Sequence, residues 1–132
     1  MNWGRILLGG LAAGIAKNLV DWAAHAGILG STYEQYEVFR VEPANPLYFF
    51  LISICIGIAA AILFAKTRNC WSEGVMGGAN FGFWVGLVAF FAPFYHTLTI
   101  NGFPYFLCWY WGIIFLIGGV IGGAVLGVFI KR

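Results

Sequence analysis

The sequence predicts an all-α integral membrane protein, a bundle of four transmembrane helices. Of its 132 residues, 61% are hydrophobic and only 9% are charged, whereas soluble domains carry about 25% charged residues. The apolar residues form four long blocks, and an apolar helix needs about 20 residues to cross a bilayer. Four such helices use most of the chain, which leaves no room for a soluble catalytic domain.

The apolar blocks give the order of the predicted elements. They place helices at about 3–29, 46–65, 74–98 and 103–130, each within the length range of a membrane span. A polar loop over 31–45 separates the first two helices, and short turns separate the others. We therefore expect one transmembrane domain with a single sizeable loop.

The charged residues predict the orientation of this bundle. Five basic residues lie near the chain ends or after the second helix: Arg5, Lys66, Arg68, Lys131 and Arg132. The 31–45 loop contains three glutamates and only one basic residue, Arg40. Because cytoplasmic loops are enriched in lysine and arginine, this pattern places both termini in the cytoplasm and the acidic loop outside.

The first and third helices share a sequence pattern. Three residues recur 68 positions later: Trp3 as Trp71, Gly10 as Gly78 and Gly14 as Gly82. The second and fourth helices resemble each other more weakly. The pattern favours two parallel helical-hairpin repeats that arose by duplication, an arrangement known from some transporters. The alternative is that small and aromatic residues recur by chance in membrane helices.

Glycines spaced by four residues are the most specific pattern in the chain. They occur in three helices: Gly10 and Gly14; Gly74, Gly78, Gly82 and Gly86; and Gly119, Gly123 and Gly127. Small residues at this spacing let two helix backbones approach closely, which is a main source of helix association in lipid. We expect these glycines to pack the bundle internally. Docking of another subunit on one of the stripes is the alternative.

The first helix has an intramembrane polar face. Asn18, Asp21 and His25 follow one another at helical spacing, and Lys17 lies four residues before Asp21, which suits an ion pair. A charge in the bilayer centre costs about 2.5 kcal/mol or more, so such residues usually face the bundle interior and are functional candidates. The face is interpreted either as an ion or proton path, or as a neutralised pair that fixes helix register.

Cofactor binding is not expected beyond bound lipid. His25 and His96 are both placed near the outer ends of their helices, which is the minimum for two axial ligands of haem b. The alternative is that each histidine simply contacts lipid headgroups or a backbone carbonyl.

The aromatic-rich outer half is typical of an interfacial belt, or of a quinone or lipid site. The three cysteines form no CxxC pair, so no metal site is expected.

One family resemblance is carried by the two terminal helices. The run LLGGLAAGI that begins at Leu7, with Asn18 after it, is followed at the other end by a glycine-rich helix ending in Lys131 and Arg132. Together they resemble a class of uncharacterised four-helix bacterial inner-membrane proteins. The resemblance implies four helices, a bacterial source and a multi-pass position in the inner membrane. It implies no activity.

Three functions remain open at this point. The sequence shows no phosphate loop, no serine–histidine–acid set and no carboxylate cluster, so we expect no enzyme, and the scattered basic residues do not favour nucleic acid as a partner. The leading hypothesis is an accessory or scaffolding subunit that binds other membrane subunits or copies of itself. The alternative is a small homo-oligomeric transporter or channel that uses the polar face of the first helix. A haem- or quinone-binding redox subunit is third.

Overall fold

Long helices dominate the computed structural model, which describes residues 1–40, 42 and 44–132. These residues contain no strand, and their α-helices are α1 (Trp3–Trp22), α2 (Gly30–Tyr33), α3 (Pro46–Lys66), α4 (Gly74–Phe90), α5 (Phe94–Thr99) and α6 (Tyr105–Phe129). Four stretches are long and apolar enough to cross a membrane: Trp3–Ile28, Pro46–Lys66, Gly74–Thr99 and Tyr105–Phe129. The predicted all-α class and the four candidate membrane spans are confirmed.

Two of the spans are less regular than expected. The first continues beyond α1 as a π-helical turn, Ala23–Ile28, in which the Leu29 N–H donates to the Ala24 carbonyl five residues earlier, at 2.9 Å. The third span is interrupted between α4 and α5 because Pro93 has no N–H and disfavours helical geometry in the residue before it.

The predicted 31–45 loop is only partly irregular. The short helix α2 and several turns occupy its first part. Val41 and Pro43, which also belong to this predicted loop, lie outside the described residues. α3 then begins at Pro46, which suits the first helical position, and Asn45 caps it by accepting from the Leu47 N–H at 3.0 Å.

The four spans form two hairpins that lie side by side. α1 packs along α3, α4 packs along α6, and the hairpins meet where α1 contacts α6. The chain starts and ends at the end of the bundle that holds Arg68, here called the Arg68 end. The opposite end, called the Tyr33 end, holds α2 and α5. α3 and α4 have few contacts with each other, although the Phe64 and Phe81 rings lie 5.0 Å apart.

Glycine backbones form the contact surface inside each hairpin. In the first hairpin, a methyl group added at Gly10 would lie 2.7 Å from Cα of Ile58, and one added at Gly14 would lie 2.7 Å from the Ser53 carbonyl oxygen. In the second hairpin the facing glycines are Gly78, Gly82 and Gly86 on α4 and Gly119, Gly123 and Gly127 on α6. The structure thus places these stripes between its own helices.

Gly74 has a different role from the other glycines of its stripe. It starts α4 with a φ of +72°, a left-handed conformation that glycine adopts without the penalty of a Cβ atom. No heavy atom lies within 4 Å of the position a Cβ would take there. Gly74 therefore serves the turn before α4, while its carbonyl group contacts Gly127 of α6.

Neighbouring glycines on α6 provide a test of this packing. A methyl group at Gly123 would overlap the carbonyl oxygen of Gly78, whereas one at Gly122 would lie 3.6 Å from its nearest neighbour, an ordinary contact. We expect Gly123→Ala to lower the free energy of unfolding by about 1–3 kcal/mol, the usual cost of overpacking. Gly122→Ala should cause no loss. Denaturant unfolding in detergent micelles measures both, and equal effects would contradict the packing described here.

Candidate functional site

An ion pair lies near the middle of the first span. Lys17 Nζ donates to Oδ2 of Asp21, one turn along α1, and the two side chains are only 15% and 23% exposed. Lys17 is 14 residues beyond the first residue of α1, or about 21 Å at 1.5 Å per residue. Gly118 of α6 lies beside the pair, because a methyl group there would make an ordinary contact, at 3.5 Å, with Lys17 Cγ.

The second oxygen of this carboxylate is unsatisfied. Oδ1 of Asp21 is buried, and within the described residues it has no hydrogen-bond partner. A buried acceptor without a partner costs about 1–3 kcal/mol, and more when it is charged. This oxygen is therefore a point on the polar face where a proton, a water molecule or a cation would be stabilised.

Asn18 faces a different helix from the ion pair. Its Oδ1 accepts a hydrogen bond from the Ser53 hydroxyl at 3.3 Å, and Ser53 is buried on α3. This bond crosses the first hairpin next to the Gly14 contact and so helps to fix the register of α1 on α3. Ser53 was not singled out from the sequence, although a serine in an apolar helix is a recognised interhelical hydrogen-bonding group.

His25 belongs to a hydrogen-bonded chain at the Tyr33 end. Its Nδ1 lies 2.5 Å from the Tyr33 hydroxyl, which also accepts the N–H of Trp111 at 2.7 Å. Because the hydroxyl oxygen accepts from the indole, its own proton is available to Nδ1. The chain connects the π-helical turn, α2 and α6. The sequence identified His25 but neither of its partners, which are eight and 86 residues away (33 and 111 against 25).

The Tyr33 hydroxyl is protonated at neutral pH. Burial raises its pKa to about 12, and the hydrogen bond from Trp111 opposes part of this rise. The protonated phenol can therefore act as both donor and acceptor in the chain from Trp111 to His25. Rings of Phe39 and Trp111 pack against it, with centroids 4.8 and 6.4 Å away.

The two candidate haem ligands share one neighbour. The centroids of the His25 and His96 rings lie 5.9 and 5.6 Å from that of Trp111, and both rings meet the indole edge to face. A haem held by both histidines would require the two imidazoles to face a single iron. Here both rings pack against Trp111. Among the described residues, no group of three histidine, cysteine, aspartate or glutamate side chains could hold a metal ion.

An apolar groove separates α3 from α4. It encloses about 170 Å³, and α1 and α6 form its floor. Its walls consist mainly of small or aliphatic residues: Ile56, Gly57 and Ala60 on α3, and Val85, Gly86 and Ala89 on α4. Lys17 is the single charged residue that lines it in the part of the chain described here. This α3–α4 groove therefore borders the ion pair through Lys17.

The polar residues of α1 thus divide into three environments. Lys17 and Asp21 pair with each other beside α6, Asn18 bonds to α3, and His25 bonds to Tyr33.

Comparison with protein-family models, with curated proteins and with solved structures gives no match.

The pH dependence of the Tyr33 phenol is testable. A folded-state pKa near 12 lies above the ordinary value of about 10, so the stability it contributes is fully present below pH 10 and is lost as the pH rises through about 12. Subtracting the tyrosinate absorbance of Tyr33→Phe from that of the native protein isolates the Tyr33 phenol. We expect this difference to show one titration centred near pH 12. Tyr48→Phe, at an exposed position on α3, provides the reference difference. A Tyr33 titration centred near 10 would show that this phenol is not buried.

Proposed function

We propose that this protein is a non-enzymatic accessory subunit of a larger membrane complex, and that the α3–α4 groove binds a transmembrane helix of a partner subunit. The observation that carries the proposal is the small-residue lining of the groove. The same kind of surface holds each hairpin together, because small residues allow backbones to approach. Lining residues on α4 extend from Phe81 to Ala89, about 12 Å of helix or two turns.

The chemistry of the groove specifies the partner helix. Its lining is apolar apart from Lys17, so the partner face should be apolar and rich in glycine or alanine. The Lys17 ammonium group has three donors, and one of them is used by Asp21. A partner helix with a hydroxyl or carboxylate acceptor at this level would satisfy another. A second copy of the chain and a lipid acyl chain are the competing occupants.

The distribution of charge supports a cytoplasmic Arg68 end. Five basic residues gather at that end: Arg5, Lys66, Arg68, Lys131 and Arg132. The Tyr33 end carries Glu34, Glu37 and Glu42 with the single basic residue Arg40. Under the positive-inside rule this arrangement favours both termini in the cytoplasm. Together with the resemblance described above, it supports a position in a bacterial inner membrane.

An internal duplication would explain the similar hairpins. Gly10 and Gly14 contact α3, and the residues 68 positions later, Gly78 and Gly82, contact α6. Equivalent glycines thus serve the same purpose in both hairpins. These contacts support two hairpin repeats of the same orientation.

Two valines on α4 test the partner helix. Val85 lines the groove and is 36% exposed, whereas Val88 lies outside it and is 79% exposed. We expect Val85→Phe to fill the groove and to reduce the recovery of the partner chain after mild detergent extraction by about tenfold. Val88→Phe, the same change on the lipid-facing side, should leave recovery unchanged.

The same experiment distinguishes the competing occupants. Mass spectrometry of the extracted complex reports whether other chains, copies of this chain or only lipids are present. Thermal unfolding shows that both valine variants remain folded. A native protein that is recovered only as a monomer would refute the accessory role, and equal losses from both variants would exclude the groove as the binding site.

A homo-oligomeric transporter or channel is the second candidate, and the buried Oδ1 of Asp21 favours it. A carboxylate oxygen without a partner near the middle of a span resembles the intramembrane acids that bind protons or cations in transporters. In this reading the ion pair opens when the carboxylate takes up a proton.

Removal of both charges tests the transport reading. Asp21→Asn alone leaves Lys17 without its partner in the bilayer, so the double variant Lys17→Met with Asp21→Leu is the cleaner change. In vesicles with an imposed pH gradient, we expect this variant to lose the proton flux of the native protein completely. Cys55→Ala, at an exposed position on α3, serves as the control. Absence of flux in the native protein would rule out proton transport.

A further inference from the structure

A second cavity, of about 370 Å³, opens at the Arg68 end between the start of α1 and the end of the chain. Four basic side chains line it: Arg5, Arg68, Lys131 and Arg132. No acidic side chain lines it within the described residues. Glu73, the closest acidic residue to Arg68 along the chain, is exposed and lies outside the cavity. This terminal pocket is therefore strongly positive.

Arg68 is the buried member of the terminal pocket. Its side chain is only 5% exposed, and its Nε donates to the Ile130 carbonyl at 2.9 Å. Nη1 donates to the carbonyls of Trp71 and Ser72, at 3.1 and 3.0 Å. These bonds connect the turn before α4 to the end of α6. All of these acceptors are neutral, so none of them cancels the guanidinium charge.

One nitrogen of Arg68 has no acceptor. Nη2 is buried, and in the part of the chain that the structure describes it makes no hydrogen bond. The Phe64 ring, 5.1 Å from Cζ, offers only a cation–π contact. A buried charge normally has an ionic partner, because an unpaired one is costly to remove from water. Nη2 of Arg68 is therefore a donor that an anion would satisfy.

The terminal pocket lies where the spans end. α3 ends at Lys66 and α6 ends at Phe129, while Trp3 at the start of α1 is 54% exposed. Tryptophan near the end of a span is typical of the boundary between hydrocarbon and headgroups. The pocket is thus at the depth of lipid phosphates if these helices cross the membrane.

We propose that the terminal pocket binds a phosphate-bearing anion, whose two sources are the headgroup of an anionic phospholipid and free phosphate. Arginine guanidinium groups match phosphate oxygens with paired hydrogen bonds, and basic pockets between transmembrane helices bind anionic headgroups. The cavity volume falls within the range of about 300–1,000 Å³ that is common for small ligands. The proposal does not depend on the partner helix or on the transport reading.

The test uses the full chain in phosphatidylcholine nanodiscs, with and without cardiolipin. Native mass spectrometry measures retained cardiolipin. In nanodiscs without cardiolipin, a shift in the thermal unfolding temperature measures binding of inorganic phosphate. Arg5→Gln and Lys131→Gln each remove one charge from the pocket. Arg40→Gln removes the same charge at the opposite end and is the control. Arg68 is left intact because it also ties the turn to α6.

We expect Arg5→Gln and Lys131→Gln each to weaken anion binding about tenfold, equivalent to about 1.4 kcal/mol, and Arg40→Gln to have no effect. Retention of cardiolipin without a phosphate-induced shift would identify a lipid site, and the reverse result would identify a site for free phosphate. Binding of neither probe would overturn the proposal, and so would an equal loss from Arg40→Gln.

Discussion

Close approach of glycine backbones is the constraint on which the whole bundle depends. Lipid gives no hydrophobic force between helices, so each hairpin must be held by contact between backbones and by a few hydrogen bonds. α6 carries this constraint on the face toward α4, where Gly119, Gly123 and Gly127 meet the facing backbone, whereas Gly118 and Gly122 face α1 less closely. On that second face Gly118 lies beside Lys17 and Asp21, so the helix that packs against α4 also borders the candidate site.

Features that depend on short sequence separation could be predicted, and those that depend on distant partners could not. The apolar blocks, the glycine spacing and the Lys17–Asp21 spacing are local, and the structure contains helices, glycine contacts and an ion pair at these positions. The partners of His25 could not be predicted, because the π-helical turn changes the direction of its side chain and Trp111 lies on another helix. The interruption at Pro93 could have been predicted from the proline itself. The expectation of a continuous third helix overlooked it.

Polar groups in a membrane must find partners within the protein, and the exceptions are informative. Asn18 bonds to Ser53, and Tyr33 bonds to both His25 and Trp111. Within the described residues, Asp21 Oδ1 and Arg68 Nη2 are the buried side-chain atoms that have no partner. One is a carboxylate oxygen beside an apolar groove, and the other is a guanidinium nitrogen of a basic pocket. The two groups have opposite charge, and Arg68 lines the terminal pocket whereas Asp21 does not line the groove, so a single ligand would not satisfy both.

The contact between the two hairpins is looser than the contact within either of them, and this difference explains the open groove. A methyl group at Gly122 would fit against α1, whereas methyl groups at the hairpin glycines would overlap the facing backbone. An open groove in a bilayer is filled either by acyl chains or by another helix. An acyl chain loses conformational freedom when a narrow groove orders it, as any flexible chain does. A helix is already ordered and loses less on binding. This difference in ordering cost favours the preordered helix that is proposed as the occupant of the groove.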